Sequence, residues 1–215
     1  MSSDDSPRSR ILAAFAAHLR EHGVRPRSVG SLARELDLPE REFYRTFASM
    51  DAVEGALWSD WIDRTAVEVA SGEAWQGFGA RERLLTFLFA LTEDALDQRS
   101  LLLLRWQPLK LVERPRWIVP LEHRYAAFLD PLIRLGMETG EIADRYLLNQ
   151  AIPPLFTLHL RAVVAFHLND ESSGFERTDA FIEKSVRLAF DVLRPQAVDS
   201  AVDFARFLSS CSCRK

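Results

Sequence analysis

Apolar residues in this chain recur at helical spacing almost from end to end, with few alternating runs that would suit strands. A first helix is predicted from Ser9 or Arg10 to about Glu21, with Ile11, Leu12, Phe15 and Leu19 on one face. Gly23 stops it, as a glycine after a helix end does. "VRPR" is a short connector, and Ser28 is placed to cap a second helix through Leu36. Pro39 suits the first turn of a third helix, where its missing N–H costs nothing; that helix ends near Phe47. Ser49 then caps a longer fourth helix, Met50 to about Ala70, with Asp51 at its positive end.

"SGEAWQGFGA" (Ser71–Ala80) carries three glycines and is predicted to be a loop. A fifth helix is predicted over Ala80–Gln98 and a shorter one over Ser100–Leu109. Pro115 and Pro120 punctuate the next connection, before a helix over Leu121–Thr139. "GEIADR" turns into a long segment, Tyr146–Leu168, which Pro153 and Pro154 should interrupt. "NDESSG" is polar loop, and a last helix spans Arg177–Leu193, stopped by Pro195. The expectation is an all-α protein of three short helices followed by about six longer ones, without internal repeats.

Composition agrees: 47% apolar and 27% charged residues are ordinary for a globular chain, and Gly (9) and Pro (10) are too sparse for a turn-rich β fold. No window reaches ~18–20 uninterrupted apolar residues. The start "MSSDDSPRSR" is acidic and polar, unlike a signal peptide, so a cytoplasmic protein is expected. Cys211 and Cys213 sit in the last five residues, and this C-x-C pair is assigned no metal or redox role. Residues 1–58 hold eight Arg and no Lys against nine Asp plus Glu, leaving little positive charge for phosphates.

Catalytic signals are thin. His18 and His22 lie one helical turn apart, but no further ligand is placed to complete a metal site. His159 and His167 are two turns apart with no nearby acidic partner. Nucleophile elbows, phosphate loops and paired carboxylates are not recognisable, so neither an enzyme nor a cofactor is expected.

The segment "RILAAFAAHLREHGVRPRSVGSLARELDLPEREFYRTFASMDAVEGAL" resembles the N-terminal domain of TetR/AcrR-type transcriptional regulators. Ile11, Leu12, Ala14, Leu19 and Gly23 fit the first-helix pattern; Ser28, Val29, Leu32 and Ala33 fit the second; Phe43, Tyr44 and Phe47 fit the third. The resemblance implies a helix-turn-helix domain (1–48), a helical ligand-binding and dimerisation domain (49–195) and a tail (196–215). It places phosphate contacts at Ser28 and Tyr44. The outer face of the third helix adds Glu40, Arg41, Arg45 and Thr46, while Leu32, Leu36, Leu38, Phe43 and Phe47 lock the helices together.

Departures fall on the DNA-facing positions. Asp37 stands where a turn glycine is usual, and aspartate tolerates that left-handed backbone. Pro39, Glu40, Arg41 and Glu42 replace a pattern of small and hydroxyl residues, and Met50 replaces a lysine. A glutamate in a recognition helix has one direct use, accepting from cytosine N4.

For the second half, the resemblance implies a ligand cavity and a homodimer through helices at about 146–168 and 177–193; the same helices could instead close the monomer's own core. Phe87, Trp106, Trp117, Tyr125 and Phe128 either line an apolar ligand pocket or form plain core. Arg105, Arg114 and Arg116 either meet a ligand anion or end their helices in solvent. "AVDFARFLSS" is an amphipathic surface helix or packs on its own domain. The expected function is a transcriptional regulator, a repressor binding an operator in double-stranded DNA and controlled by a small apolar ligand. The alternative is a protein of the same fold that has lost DNA binding and serves as a lipid- or partner-binding accessory.

Overall fold

The computed structural model describes residues 6–111, 113–144, 146–197 and 199–200, with backbone only for 146–148. The apolar tail positions Val202, Phe204, Ala205, Phe207 and Leu208, and Cys211 and Cys213, lie outside the described residues. Helices α1 (Pro7–His22), α2 (Val29–Glu35), α3 (Glu40–Thr46), α4 (Met50–Ala70), α5 (Ala80–Asp97), α6 (Arg99–Arg105), α7 (Ile118–Glu138), α8 (Tyr146–Leu168) and α9 (Glu176–Leu193) account for the described chain, which contains no strand. The fold is all-α. It forms two compact units, one from the chain up to Val67 with Leu91–Tyr125, the other from Glu68–Ala90 with the chain from Ala126 onward.

In the first unit, α1 begins at Pro7, ahead of the Ser9 or Arg10 start that its periodicity predicts. Ser6 caps it by accepting from Ser9 N–H at 3.1 Å, and Pro7 takes the first-turn position where no donor is needed. Gly23 ends it with φ +68°, its N–H returning to the Leu19 carbonyl. Ser28 and Ser31 form a reciprocal capping box at the start of α2. The turn into α3 needs one left-handed residue, and Asp37 supplies it at φ +50°. Leu38 N–H then bonds the Ala33 carbonyl at 2.8 Å.

Ile11, Phe15, Leu19, Leu32 and Phe43 are fully buried, and Phe47 nearly so. Each such side chain contributes roughly 1.5–3 kcal/mol, so this small core fixes the angle between α2 and α3. Arg8 of α1 grips Asp60 of α4 through two hydrogen bonds of 2.8 and 2.6 Å. Ser49 caps α4 by accepting from Ala52 N–H. Gly55 lets the Trp117–Pro120 segment reach α4: a Cβ there would stand 3.1 Å from the Trp117 carbonyl oxygen and 2.8 Å from Pro120 Cγ.

In the second unit, the predicted glycine loop contains a 3-10 turn, Glu73–Gly77. Trp75 buries itself there, with the Arg83 guanidinium 5.2 Å from its ring centre, so an aromatic anchor orders a segment that its glycines alone would leave open. Glu141 caps α5 from a distant part of the sequence, accepting from the N–H groups of Ala80 (2.8 Å) and Arg81 (3.2 Å).

Helix α8 corrects a sequence expectation: it runs unbroken through Pro153 and Pro154. The two prolines cost roughly 6 kcal/mol against ordinary helix residues. Ile152, Phe156, Leu160 and Val163 are fully or almost fully buried on one face, a gain of roughly 6–12 kcal/mol that offsets it. Pro131 is likewise carried inside α7. The "NDESSG" segment is also more ordered than a polar loop. Buried Asp170 accepts from the N–H and hydroxyl groups of both Ser172 and Thr178, at 2.7–2.9 Å, and so caps the start of α9.

Candidate nucleic-acid interface

The outer face of α2–α3 presents Ser28, Arg41, Tyr44 and Arg45 to solvent, all exposed. Their backbones are set by the capping box and the Asp37 turn, so the local sequence positions them before any tertiary contact is considered. The Ser28 hydroxyl accepts from Ser31 N–H at 3.1 Å. Tyr44 stands 54% exposed while its neighbour Phe43 is fully buried, the two rings edge to face at 5.6 Å. Thr46 is half-buried, and its hydroxyl donates to the Glu42 carbonyl at 3.0 Å.

Of the two carboxylates singled out in the sequence, Glu42 is engaged in an ion pair and Glu40, among the described residues, is not. Glu42 pairs with Arg45 across one turn of α3. Glu40 Oε1 lies directly against Gly30 near the start of α2, where a Cβ would have no room. Other cations of the region serve the fold: Arg10 donates to the Leu36 carbonyl and Arg34 to the Gly30 carbonyl. Arg41 and Arg27 have no acidic partner among the described residues, and both are exposed. Arg27 is not among the positions singled out from the sequence. Its place immediately before the Ser28 cap was the available signal.

The aromatic residues proposed for a ligand separate by unit. Phe87 and Phe128 stack at 4.1 Å in the second unit, with Trp75 6.4 Å from Phe128. Trp106, Trp117 and Tyr125 belong to the first. There Trp106 and Trp117 join Trp58 and Trp61 of α4 in one cluster, with ring centres 5.8–6.3 Å apart. The indole N–H groups of Trp58, Trp61 and Trp106 are buried and find no acceptor atom among the described residues. Trp106 meets Trp58 at 84° and Trp61 at 89°, the edge-to-face geometry aromatic pairs prefer. Trp58 and Trp61 were not singled out in the sequence, because i, i+3 spacing on a long helix reads as ordinary core. Tyr125 is fully buried, and burial pushes its phenol far above the usual range.

Two of the three arginines near these rings are already bound. Arg105 makes a bidentate contact to Glu54 (2.7 and 3.1 Å) and lies 5.6 Å from the Trp117 ring centre; Arg114 pairs with Glu122. Glu54 is completely buried and also meets Arg25, at 3.3 Å, from the α1–α2 connection. Arg116 is exposed. A cleft of about 620 Å³ in the second unit is lined by Arg81, Leu85, Glu183, Arg187, Asp191 and Arg194, chemistry unlike that of an apolar pocket.

On α8 and α9, Leu155, Leu158, Phe166, Leu188 and Val192 remain exposed while the opposite faces are buried. Phe166 stacks on Phe181 at 4.5 Å. His159 lies between the same two helices, 2.8 Å from Ser185 Oγ. Because Ser185 donates to the Phe181 carbonyl, the imidazole hydrogen belongs on Nε2. Burial lowers its pKa to about 4 and keeps it neutral. By length and composition Asn149–Leu168 could cross a membrane, with a mean hydropathy of 1.3, so the absence of a long uninterrupted apolar run did not exclude such a segment. It carries Asn149, Gln150, Arg161 and two histidines, and 44% of it is already buried inside the protein. No group of His, Cys, Asp and Glu suited to a metal ion occurs among the described residues.

Residues 83–208 match the family model described as tetracyclin repressor-like, C-terminal domain. No curated protein matches the chain. Among solved structures it is similar to a putative TetR-family transcriptional regulator from Rhodococcus sp., at 23% identity over 85% of this chain and 98% of that one, with a TM-score of 0.58. A putative tetR family transcription regulator from Shewanella sp. PV-4 matches at 16% identity over 86% and 96%, with a TM-score of 0.56. The superantigen PfiT matches at 14% identity over 87% and 97%, with a TM-score of 0.51. At these identities the likeness is one of fold alone.

Proposed function

This chain belongs to the tetracyclin repressor-like family, and we propose that it is a DNA-binding transcriptional regulator of the repressor type, controlled by a small apolar ligand. The observation that carries the reading is the α2–α3 unit: a capped, tightly turned helix pair whose outer face exposes Ser28, Arg41, Tyr44 and Arg45. Arg27 and Arg41 supply uncommitted positive charge for phosphates, which Ser28 and Tyr44 also contact, and Arg45 faces the groove. Thr46 contributes through its oxygen, since its hydrogen is committed to the Glu42 carbonyl. In this assignment residues 1–48 meet the operator, and 49–195 bind ligand and pair two copies. The setting is the cytoplasm, and the role involves no catalysis.

The homodimer forms through the exposed apolar face of α8 and α9, where Leu155, Leu158, Leu188 and Val192 gain burial that the monomer does not give them. Control is by linkage: a ligand that favours a domain spacing unfit for DNA weakens operator affinity by the factor that DNA weakens its own. Trp106, Trp117 and Tyr125 in one unit and Phe87 and Phe128 in the other are the ligand-responsive aromatics of this reading.

One observation favours a second reading, a protein of this fold that has given up DNA for a lipid or protein partner: Glu42 occupies Arg45, and Glu40 places a second carboxylate beside Gly30 near the start of α2. A gel shift with the chain's own upstream region, at low and at physiological salt, separates the two. A repressor gives a sequence-dependent shift that weakens as salt rises; no such shift at either salt leaves only the accessory reading.

A further inference from the structure

Helix α3 carries two cations and two carboxylates, and Glu42 and Arg45 are joined to each other one turn apart. Both side chains are solvent-facing, Glu42 39% and Arg45 55% exposed, so the pair is not a buried structural tie. Glu42 Oε1 engages Nη1 of Arg45, which leaves the rest of the guanidinium and the second carboxylate oxygen with no other partner among the described residues. The Thr46 hydroxyl bonds the Glu42 carbonyl in the same turn, and Phe43 is fully buried beneath it. The pair is therefore displayed on an anchored stretch of helix.

An exposed ion pair of this spacing is weak in water, so a purely structural role gives the chain little for the phosphate repulsion that Glu42 brings. Its geometry has a chemical use in a major groove. A guanidinium held by one nitrogen still offers donors that match guanine O6 and N7, and a free carboxylate oxygen accepts from cytosine N4. Resting on the DNA-binding reading above, we propose that Glu42 is a specificity-determining residue. It holds Arg45 ready for a guanine and accepts from a cytosine N4 itself, and its charge lowers affinity for duplex DNA of any sequence. Glu42 and Arg45 thus act as one unit that exchanges general affinity for discrimination.

The test is in vitro selection from random duplexes with the full-length protein, wild type and E42Q, followed by titration of selected and scrambled duplexes at two salt concentrations. Glutamine keeps the shape of the side chain and removes its charge. Wild type should enrich sites containing a fixed C·G position. E42Q should bind scrambled duplex more tightly at low salt, while its preference for that position falls about tenfold. In an R45Q background, E42Q should leave the remaining preference almost unchanged. If E42Q tightens selected and scrambled duplexes by the same factor, Glu42 merely repels phosphate and the inference is overturned. An unchanged E42Q overturns it too. If wild type enriches no sequence at either salt, the DNA-binding reading falls with it, a result distinct from both others.

Discussion

Glu54 of α4 ties Arg105 of α6 and Arg25 of the α1–α2 connection together within the first unit. It is wholly buried, and its charge is met by Arg105 through two hydrogen bonds and by Arg25 at 3.3 Å. Removing one partner of such a set leaves a buried charge uncompensated, which costs about 3–5 kcal/mol. Arg105→Ala is therefore expected to lower the unfolding free energy in urea by that amount, whereas Arg134→Ala, which breaks a pair with Asp130 exposed on both sides, should cost under about 1 kcal/mol. Equal losses in the two variants would contradict the burial argument. His159 gives a second prediction, with a definite sign. Its folded pKa of about 4 lies below the unfolded value near 6.5, so the unfolded chain binds more protons between those values. The stability this neutral histidine permits is complete above pH 6.5 and is lost as pH falls towards 4, by at most roughly 3 kcal/mol. His159→Gln should flatten that part of the stability profile; an unchanged slope would show that other groups set it. None of this was legible in the sequence, because Glu54 and Arg105 are 51 positions apart and neither belongs to a local pattern.

Elements were far more legible than residues. The fourth helix, Met50–Ala70, falls where periodicity and the Ser49 cap put it, and α1 ends at the predicted glycine. Local signals suffice there because cap, dipole and apolar face all agree. They failed where a distant contact decided the outcome. The proline pair reads as a break, yet the buried face of α8 carries the helix through it. The glycine-rich loop reads as open, yet Trp75 pins a turn inside it. Leu188 is 64% exposed on the face assigned to the dimer, so Leu188→Glu should convert a dimer into a 24.5 kDa monomer in light scattering while leaving helix content unchanged. A wild-type monomer, or a dimer indifferent to the change, would place the interface elsewhere. Ser28→Ala should cost about 1 kcal/mol through loss of its capping role, apart from any effect on DNA.

At the scale of the whole molecule, family membership fixes the fold and leaves the use of the fold to the surface. A likeness to both a putative regulator and a superantigen shows why: the helical frame is shared, and function resides in what each surface presents. In this chain the frame-keeping positions Leu32, Phe43 and Phe47 are buried as the sequence implied, while α3 balances two arginines with two glutamates. Its cation inventory was only partly legible. Charges can be counted from sequence, but which of them is already spent on a carbonyl or carboxylate is a matter of geometry. Arg10 and Arg34 are spent; Arg27 and Arg41 are not. In the proposed reading, α2–α3 meets duplex DNA through these free cations. The most direct test of that reading is the salt dependence of affinity for the upstream region, for wild type and Arg41→Ala. The variant should bind more weakly at every salt concentration, with a slope of log K against log salt shallower by about one. Parallel lines of equal affinity, or no measurable binding by the wild type, would contradict it.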